Sequence, residues 1–238
     1  MLLRTGMLKT RIAMRMTMAL PWLLVLELVL YAGCFICGII AATSLTLTQG
    51  HFDGRCILYG SVYYNMSAQA LALESSSSPS LCYFVSFISI CVAIYCFCLL
   101  LYWIYSSCAD EDPSRARLWL NISLLVCAVI VFFLVVSGCI LRIGRNHLCL
   151  SVLHSLPSIT ECEEAQNETW ISPYTGDHFY SGLHSAERSV WVNFFFWMLI
   201  IVVISVQRHH VSDFRGLGRD AAWSPDETQP FLRHPSRL

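Results

Sequence analysis

The chain carries the apolar stretch LWLNISLLVCAVIVFFLVVSGCIL at residues 118–141. This stretch contains no Asp, Glu, Lys or Arg, and it exceeds the roughly 20 apolar residues that a helix needs to cross the hydrocarbon core of a bilayer. Lipid cannot satisfy backbone N–H and C=O groups, so only helices and closed barrels span membranes. Because the stretch lacks the strict alternation of a barrel strand, it predicts a transmembrane helix.

Three further apolar stretches lie at residues 20–47, which contains one acid, at 82–105, which contains no charged residue, and at 190–206, which is shorter. The chain as a whole is 56% hydrophobic and only 13% charged, whereas a soluble domain carries about 25% charged residues. The sequence therefore predicts an all-α membrane protein, a bundle of four transmembrane helices. Its net charge of −1 and the absence of a basic surface exclude nucleic acid as a partner and leave the lipid bilayer as the expected one.

The distribution of positive charge predicts the orientation. Of the 15 Lys and Arg residues, only Arg55, Arg142, Arg145 and Arg188 lie in the two loops at 48–81 and 142–189. Lys and Arg accumulate on the cytosolic side of membrane proteins. We therefore predict two outer loops at these positions and three cytosolic segments, namely an N-terminal extension at 1–19, a loop at 106–117 and a disordered tail at 207–238.

Two glycosylation motifs fall in the predicted outer loops. Asn65 begins Asn-Met-Ser in the first, and Asn167 begins Asn-Glu-Thr in the second. An Asn-x-Ser/Thr motif can be modified only on the lumenal side of a membrane. Both asparagines are predicted to carry glycans, which agrees with the orientation predicted from charge.

Four of the 12 cysteines lie in the outer loops, at Cys56, Cys82, Cys149 and Cys162. An even number in an oxidising compartment indicates disulfides, and four cysteines allow three pairings. We favour Cys56–Cys82 and Cys149–Cys162, because each closes a loop of modest length within one segment. No closely spaced Cys-x-x-Cys pair is present among the four, so a zinc site is not expected.

The first outer loop contains short runs of β-branched and aromatic residues, which predict small strands. The serine-rich stretch at 75–80 after them is interpreted as a flexible connector. The second outer loop is predicted to be either a small disulfide-linked subdomain or a mobile loop held by its disulfide.

Two single residues have testable chemistry. Cys108 follows the predicted second span on its cytosolic side and is a candidate for palmitoylation, with a plain reduced thiol as the alternative. Glu27 is an acid within the first span, which costs up to ~3 kcal/mol at mid-bilayer and marks a functional site by default. The alternative is a structural role in which Glu27 is protonated, reaches the interface, or accepts a hydrogen bond from Ser123 or Asn121.

Several segments together resemble the transmembrane protein 179 family. These segments cover nearly the whole chain after residue 18: MALPW at 18–22, TQG at 48–50 with GRC at 54–56, LCYFV at 81–85, WIYSSC at 103–108, ILR at 140–142, and FYS at 179–181 with WVN at 191–193. The resemblance implies a claudin-like four-span fold without catalytic residues. True claudins carry Gly-Leu-Trp and two cysteines in the first loop, whereas only Cys56 precedes Cys82 here, so the resemblance does not extend to junction formation.

The functional interpretation rests on these features. No phosphate-binding loop, zinc-protease motif or nucleophile elbow is present, so neither an enzyme nor a cofactor is expected. We predict a membrane interaction or trafficking protein of the plasma membrane or the secretory and endolysosomal membranes. Membrane-protein partners or a homo-oligomer are expected, and a channel or transporter component is the alternative.

Overall fold

The computed structural model describes the backbone of residues 2–106 and 113–222 and the side chains of residues 22–105 and 122–208. Four long helices are joined by a β-hairpin and irregular segments, which confirms the predicted helical membrane fold. The elements are α1 (Leu2–His51), β1 (Cys56–Asn65), β2 (Ala70–Ser77), α2 (Pro79–Ser106), α3 (Pro113–Ser155), a 3-10 turn (Glu164–Asn167) and α4 (Phe179–Ala222).

Each helix contains a segment that is long and apolar enough to cross a membrane. These segments are Trp22–His51, Pro79–Tyr105, Ile122–Ser155 and Phe179–Arg208. Large apolar side chains such as Ile94, Phe132 and Val202 point away from the bundle. In water such an apolar surface would cause association, whereas in a bilayer it faces hydrocarbon, so the outer surface of the bundle is suited to lipid.

Helix α1 packs against both α2 and α4, and α3 packs against α4. Small residues of α1 allow these close approaches. A Cβ at Gly33 would lie 2.8 Å from Phe196 Cε2, and one at Gly38 would lie 2.9 Å from the Ser89 carbonyl oxygen. The small residues of the first span are therefore used inside the bundle, as the packing of helices in lipid favours.

A compact module closes one end of the bundle; we call it the cap and define it as residues 52–78 and 156–178. Its antiparallel hairpin pairs Tyr64 with Leu71 and Asn65 with Ala70. On the other side of β2, Leu71 exchanges two backbone hydrogen bonds with Thr169 and Ile171, at 2.8 and 2.9 Å. The segment at 169–171 is thus joined to the two-stranded sheet by a single parallel bridge between Leu71 and Trp170, and we call this segment the third strand.

Helix α3 holds the opposite edge of the hairpin. The Ser151 hydroxyl accepts a hydrogen bond from the Val62 N–H at 2.9 Å, and the Ser155 hydroxyl donates to the Val62 carbonyl at 2.7 Å. Edge strands leave unpaired backbone groups, which these two serines satisfy at Val62. The hairpin therefore sits between the end of α3 and the third strand.

The structure corrects the interpretation of residues 75–80 as a flexible connector. Ser75 lies opposite Ser61 in the hairpin, their hydroxyl oxygens are 2.7 Å apart, and α2 begins at Pro79. Strand pairing with β1 overrides the weak β preference of serine, because β propensity depends on cross-strand contacts.

The second loop is shorter than the predicted range of 142–189. Helix α3 continues to Ser155 and α4 begins at Phe179, so residues 156–178 make the connection. Arginines at 142 and 145 do not end a helix, whereas Pro157 does, because the residue before proline avoids the helical conformation.

The tail also departs from the prediction of disorder from residue 207, since α4 continues to Ala222. Extending an existing helix costs far less than nucleating a new one, and the first proline after the span is Pro225. The rest of the predicted tail lies outside the described residues.

Candidate functional site

Two disulfide bonds attach the cap to the bundle. Cys56 at the start of β1 is bonded to Cys82 in the first turn of α2, with Cα atoms 5.8 Å apart. Cys149 near the end of α3 is bonded to Cys162, with Cα atoms 5.4 Å apart. These are the two pairings that the sequence favours.

Removing the second disulfide is expected to loosen one side of the cap. In the Cys149→Ser/Cys162→Ser variant, the closed loop of separation 13 is opened, which should lower the free energy of unfolding by about 3 kcal/mol. Denaturant-dependent loss of tryptophan fluorescence measures this change. Cys139→Ser is the control, since Cys139 is an exposed free thiol of α3. Equal stability of the two variants would contradict the prediction.

An aromatic cluster forms the interior of the cap. Phe52 is fully buried and lies edge-to-face with Trp170, at a centroid distance of 5.2 Å, and stacked with Tyr174 at 5.8 Å. Trp170 also contacts Phe179 at the start of α4 at 5.4 Å, and the Arg55 guanidinium lies 5.9 Å from the Tyr174 ring centroid. Residues from both cap segments and from α4 therefore share one small core.

The two predicted glycosylation motifs lie at the same end of the cap. The Asn65 side-chain oxygen accepts hydrogen bonds from the N–H groups of Ser67 and Ala68 in the hairpin turn. The Thr169 hydroxyl, which belongs to the Asn167 motif, donates to the Gln69 carbonyl at 2.9 Å in that same turn. Asn167 itself is exposed. Glycosylation at both sites stays a prediction.

Glu27 is buried between α1 and α4, with only 4% of its surface exposed. The Gln207 amide donates a hydrogen bond to Glu27 Oε2 at 3.0 Å, and the Tyr31 hydroxyl also bonds the carboxyl. The donor from a neighbouring helix thus comes from α4 rather than from Ser123 of α3. The Asn121 side chain and Cys108 lie outside the described part of the chain.

Replacing Glu27 with glutamine is expected to preserve folding. The new side-chain oxygen can still accept from Gln207, so the free energy of unfolding should change by less than ~1 kcal/mol. Glu27→Leu is the matched contrast, because it leaves the half-buried Gln207 amide without its acceptor, at a cost of about 1–3 kcal/mol. Surface expression and unfolding midpoints measure both. Loss of expression in Glu27→Gln alone would argue for a role of the acid beyond packing.

A buried ion pair joins α3 to α4 beneath the cap. Arg145 Nη1 lies 3.0 Å from Glu187 Oε2, and the two side chains are 16% and 8% exposed. The guanidinium also lies 5.8 Å from the centroid of the Tyr180 ring. The sequence predicts both residues in the second outer loop and does not predict their pairing. The sequence feature that could have indicated the pair is the position of the two opposite charges, since Arg145 follows the predicted third span closely and Glu187 precedes the predicted fourth span closely.

The two buried acids lie at opposite ends of the bundle. Glu187 belongs to α4 and lies beneath the cap, and Glu27 of α1 contacts Gln207 near the other end of α4. From Glu187 to Gln207 the helix rises roughly 30 Å at about 1.5 Å per residue, which matches the thickness of the hydrocarbon core. Midway lies Trp197, which is fully buried, with ring centroids 5.9 Å from Tyr31 and 6.1 Å from Tyr95. The two acids are therefore separated by about the thickness of a hydrocarbon core, and aromatic rings fill the bundle at the level of Trp197.

Comparison with known proteins identifies the family. Residues 23–232 match the family described as Transmembrane protein 179/179B Claudin domain. The chain belongs to this family. It is 55% identical over 220 residues to a Danio rerio protein named Transmembrane protein 179B, covering 92% of this chain and 100% of the relative. The predicted resemblance and the claudin-like four-span fold are thereby confirmed.

Two mammalian relatives of the same name show a similar extent of likeness. The Homo sapiens protein is 47% identical over 211 residues, covering 88% of this chain and 94% of its own. The Mus musculus protein is 44% identical over 219 residues, covering 91% and 98%. No solved structure matches the chain.

Proposed function

We propose that this protein is a membrane interaction or trafficking protein, neither an enzyme nor a cofactor carrier. Its cap would bind the outer parts of other membrane proteins, and its tail would direct sorting. The proposal rests on the contacts that hold the cap in a fixed position on the bundle. Two disulfides, a third strand and two serine contacts hold it against the bundle. A rigid surface loses little conformational entropy when a partner binds.

Hydrogen bonds within the protein already occupy backbone groups on both outer edges of the hairpin, and this limits how a partner could bind. Val62 of β1 is hydrogen-bonded by serines of α3, and Leu71 of β2 is hydrogen-bonded by Thr169 and Ile171. Addition of a partner strand requires free backbone groups at a sheet edge. Recognition at these positions would therefore use exposed side chains such as Tyr63 and Met66.

The cap is proposed to face the lumen or the cell exterior, with both termini in the cytosol. Both disulfides lie at the cap end of the bundle, and disulfides persist in oxidising compartments. The excess of Lys and Arg in the other segments supports the same orientation. The plasma membrane and the secretory or endolysosomal membranes are the proposed locations.

Glycosidase digestion tests this orientation. The wild-type protein from mammalian cells is expected to shift to lower apparent mass on digestion, because both motifs lie on exposed turns of the cap. The Asn65→Gln/Asn167→Gln variant should show no shift. Asn121 begins a third such motif, Asn-Ile-Ser, but it lies inside the predicted third span at 118–141, so Asn121→Gln is the matched control and should behave as wild type. An undigested wild-type band that already runs at the unmodified mass would oppose the orientation.

The alternative, a channel or transporter component, requires a polar path through the bundle. Fully buried Trp197 and Ile200 occupy the bundle centre, and Ile204 is 2% exposed on the same helix face. This packing supports the interaction function over conduction by a single chain. Ion flux into vesicles containing the purified protein would reverse the preference.

Proximity labelling in intact cells tests the proposed function. With the labelling enzyme fused to the cytosolic C-terminus, we expect a reproducible set of membrane neighbours. The Cys149→Ser/Cys162→Ser variant should lose part of this set, whereas Cys139→Ser should keep it. Labelling that matches bulk membrane protein in all three would refute the proposal.

A further inference from the structure

Three polar atoms inside the bundle have no hydrogen-bond partner. They are Ser137 Oγ of α3 and, on α4, Asn193 Oδ1 and Trp197 Nε1, and no group within the described side chains of residues 22–105 and 122–208 bonds to any of them. The three residues are 0%, 2% and 0% exposed. Buried polar groups in proteins are nearly always hydrogen-bonded, so each exception needs an explanation.

The register of α3 against α4 brings these three residues together. A Cβ at Gly138 would lie 3.1 Å from Trp191 Cε2, so these two residues face each other across the antiparallel helices. Ser137 lies one residue and Asn193 two residues from that contact, both on the side away from the cap, so their depths differ by about 1.5 Å. Trp197 is four residues after Asn193, and residues four apart share a helix face with Cβ atoms about 5–6 Å apart.

The hydroxyl of Ser137 differs from those of other serines in the spans. The Ser89 hydroxyl donates to the Val85 carbonyl at 2.9 Å, and the Ser205 hydroxyl donates to the Ile201 carbonyl at 2.7 Å. Such bonds to the preceding turn satisfy a helical serine within its own helix. The Ser137 hydroxyl makes no bond of this kind to a described residue, so it is available to a group outside α3.

The three atoms form a complementary set for one water molecule. An indole N–H can only donate, an amide oxygen can only accept, and a hydroxyl can do either. The N–H would repel a cation and the amide oxygen would repel an anion, whereas water accepts and donates. A buried water typically makes about three hydrogen bonds to groups that otherwise lack a partner. Two bonds of about 2.8 Å through one water span up to roughly 5.6 Å, which suits side chains four residues apart.

We propose that Ser137, Asn193 and Trp197 together bind one ordered water molecule inside the bundle. The water accepts from the Trp197 N–H and donates to the other two side chains, and it thereby links α3 to α4. It is a single site rather than part of a polar path, because the next buried residues along this face of α4 are Ile200 and Ile204. The site is independent of the proposed interaction function, which concerns the cap.

Water–protein cross-relaxation in nuclear magnetic resonance tests the site in the full-length protein. The protein is labelled with nitrogen-15 tryptophan and placed in nanodiscs of deuterated phospholipid. Trp197→Phe assigns the Trp197 indole resonance among those of the 7 tryptophans. We expect this indole proton to show a cross-peak with water that has opposite signs in laboratory-frame and rotating-frame spectra. A bound water gives this pattern, whereas proton exchange gives the same sign in both.

Asn193→Leu removes one partner of the water at similar side-chain volume and is expected to abolish the cross-peak. Ser137→Ala removes another partner and serves as the second variant if Asn193→Leu does not fold. Ser89→Ala is the matched control, because Ser89 is equally buried but its hydroxyl is bonded within α2, and it should keep the cross-peak. An unchanged cross-peak in a folded Asn193→Leu or Ser137→Ala protein overturns the proposal.

Two other arrangements give distinct results. The rings of Tyr31 and Tyr95 lie next to Trp197, and an exchanging tyrosine hydroxyl could relay magnetisation from water. The single variants Tyr31→Phe and Tyr95→Phe should each keep the cross-peak, and its loss in either would show that a tyrosine is the source and the proposal is wrong. If Ser137 and Asn193 instead bond to each other directly, the wild type shows no cross-peak at Trp197, and the proposal is equally wrong.

Discussion

Glu187→Ala is expected to lower the free energy of unfolding by about 3–5 kcal/mol, because it leaves the Arg145 guanidinium buried without its partner. The pair is a direct 3.0 Å contact between α3 and α4, with little water access to either side chain. Titration with sodium dodecyl sulfate in mixed micelles, followed by tryptophan fluorescence, measures the change.

The double variant Arg145→Met/Glu187→Leu separates the cost of the unpaired charge from the value of the pair. Apolar replacements of a buried ion pair are often neutral or stabilising, so the double variant should recover most of the lost stability. Glu163→Ala removes an exposed acid of the cap and should stay within about 0.5 kcal/mol of wild type. A Glu187→Ala variant as stable as Glu163→Ala would show that water reaches the arginine.

Trp197→Ala is also expected to lower the free energy of unfolding by about 3–5 kcal/mol, because it opens a cavity at the centre of the bundle. The ring is fully buried and lies against Tyr31 of α1 and Tyr95 of α2. A single truncation therefore loosens three helices at one level. The same detergent titration, monitored by far-ultraviolet circular dichroism, measures the effect without relying on the deleted fluorophore.

Two variants control for the loss of a tryptophan as such. Trp22→Ala removes a tryptophan that is 75% exposed and should change stability little. Trp197→Phe keeps most of the ring volume. Among the described residues, the Trp197 indole N–H has no hydrogen-bond partner, so phenylalanine gives up no bond to another residue. Similar losses for Trp197→Ala and Trp22→Ala would mean that lipid or neighbouring side chains fill the cavity.

The helices and the disulfide pairing follow from local features of the sequence. Charge-free stretches such as 118–141 identify spans because length and composition alone decide whether a helix can cross lipid. The pairing of Cys149 with Cys162 follows because the two are close in sequence, at a separation of 13. Both features are encoded within a few tens of residues.

The contacts between distant segments could not be predicted in the same way. The pattern of a helix shows which face is buried, but not which neighbour covers it. For this reason a hydrogen bond from Ser123 or Asn121 of α3 was only one of the alternatives for Glu27, and Gln207 of α4, which provides a bond, was not among them. The third strand at 169–171 and the Arg145–Glu187 pair were missed for the same reason, since each joins segments that only the packing of the helix bundle brings together.

The construction of the cap from two distant segments has a consequence for biosynthesis. Each disulfide joins one cap segment to the helix next to it along the chain, so both cysteine pairs are close together on the growing chain, and Cys56 and Cys82 are both made before the third span. The backbone hydrogen bonds of Leu71, in contrast, can form only after Thr169 and Ile171 have been synthesised. Until they arrive the hairpin has an open edge, which is a template for incorrect pairing. A chain truncated between Cys162 and Thr169 would display that edge to the folding machinery although both of its disulfides could form.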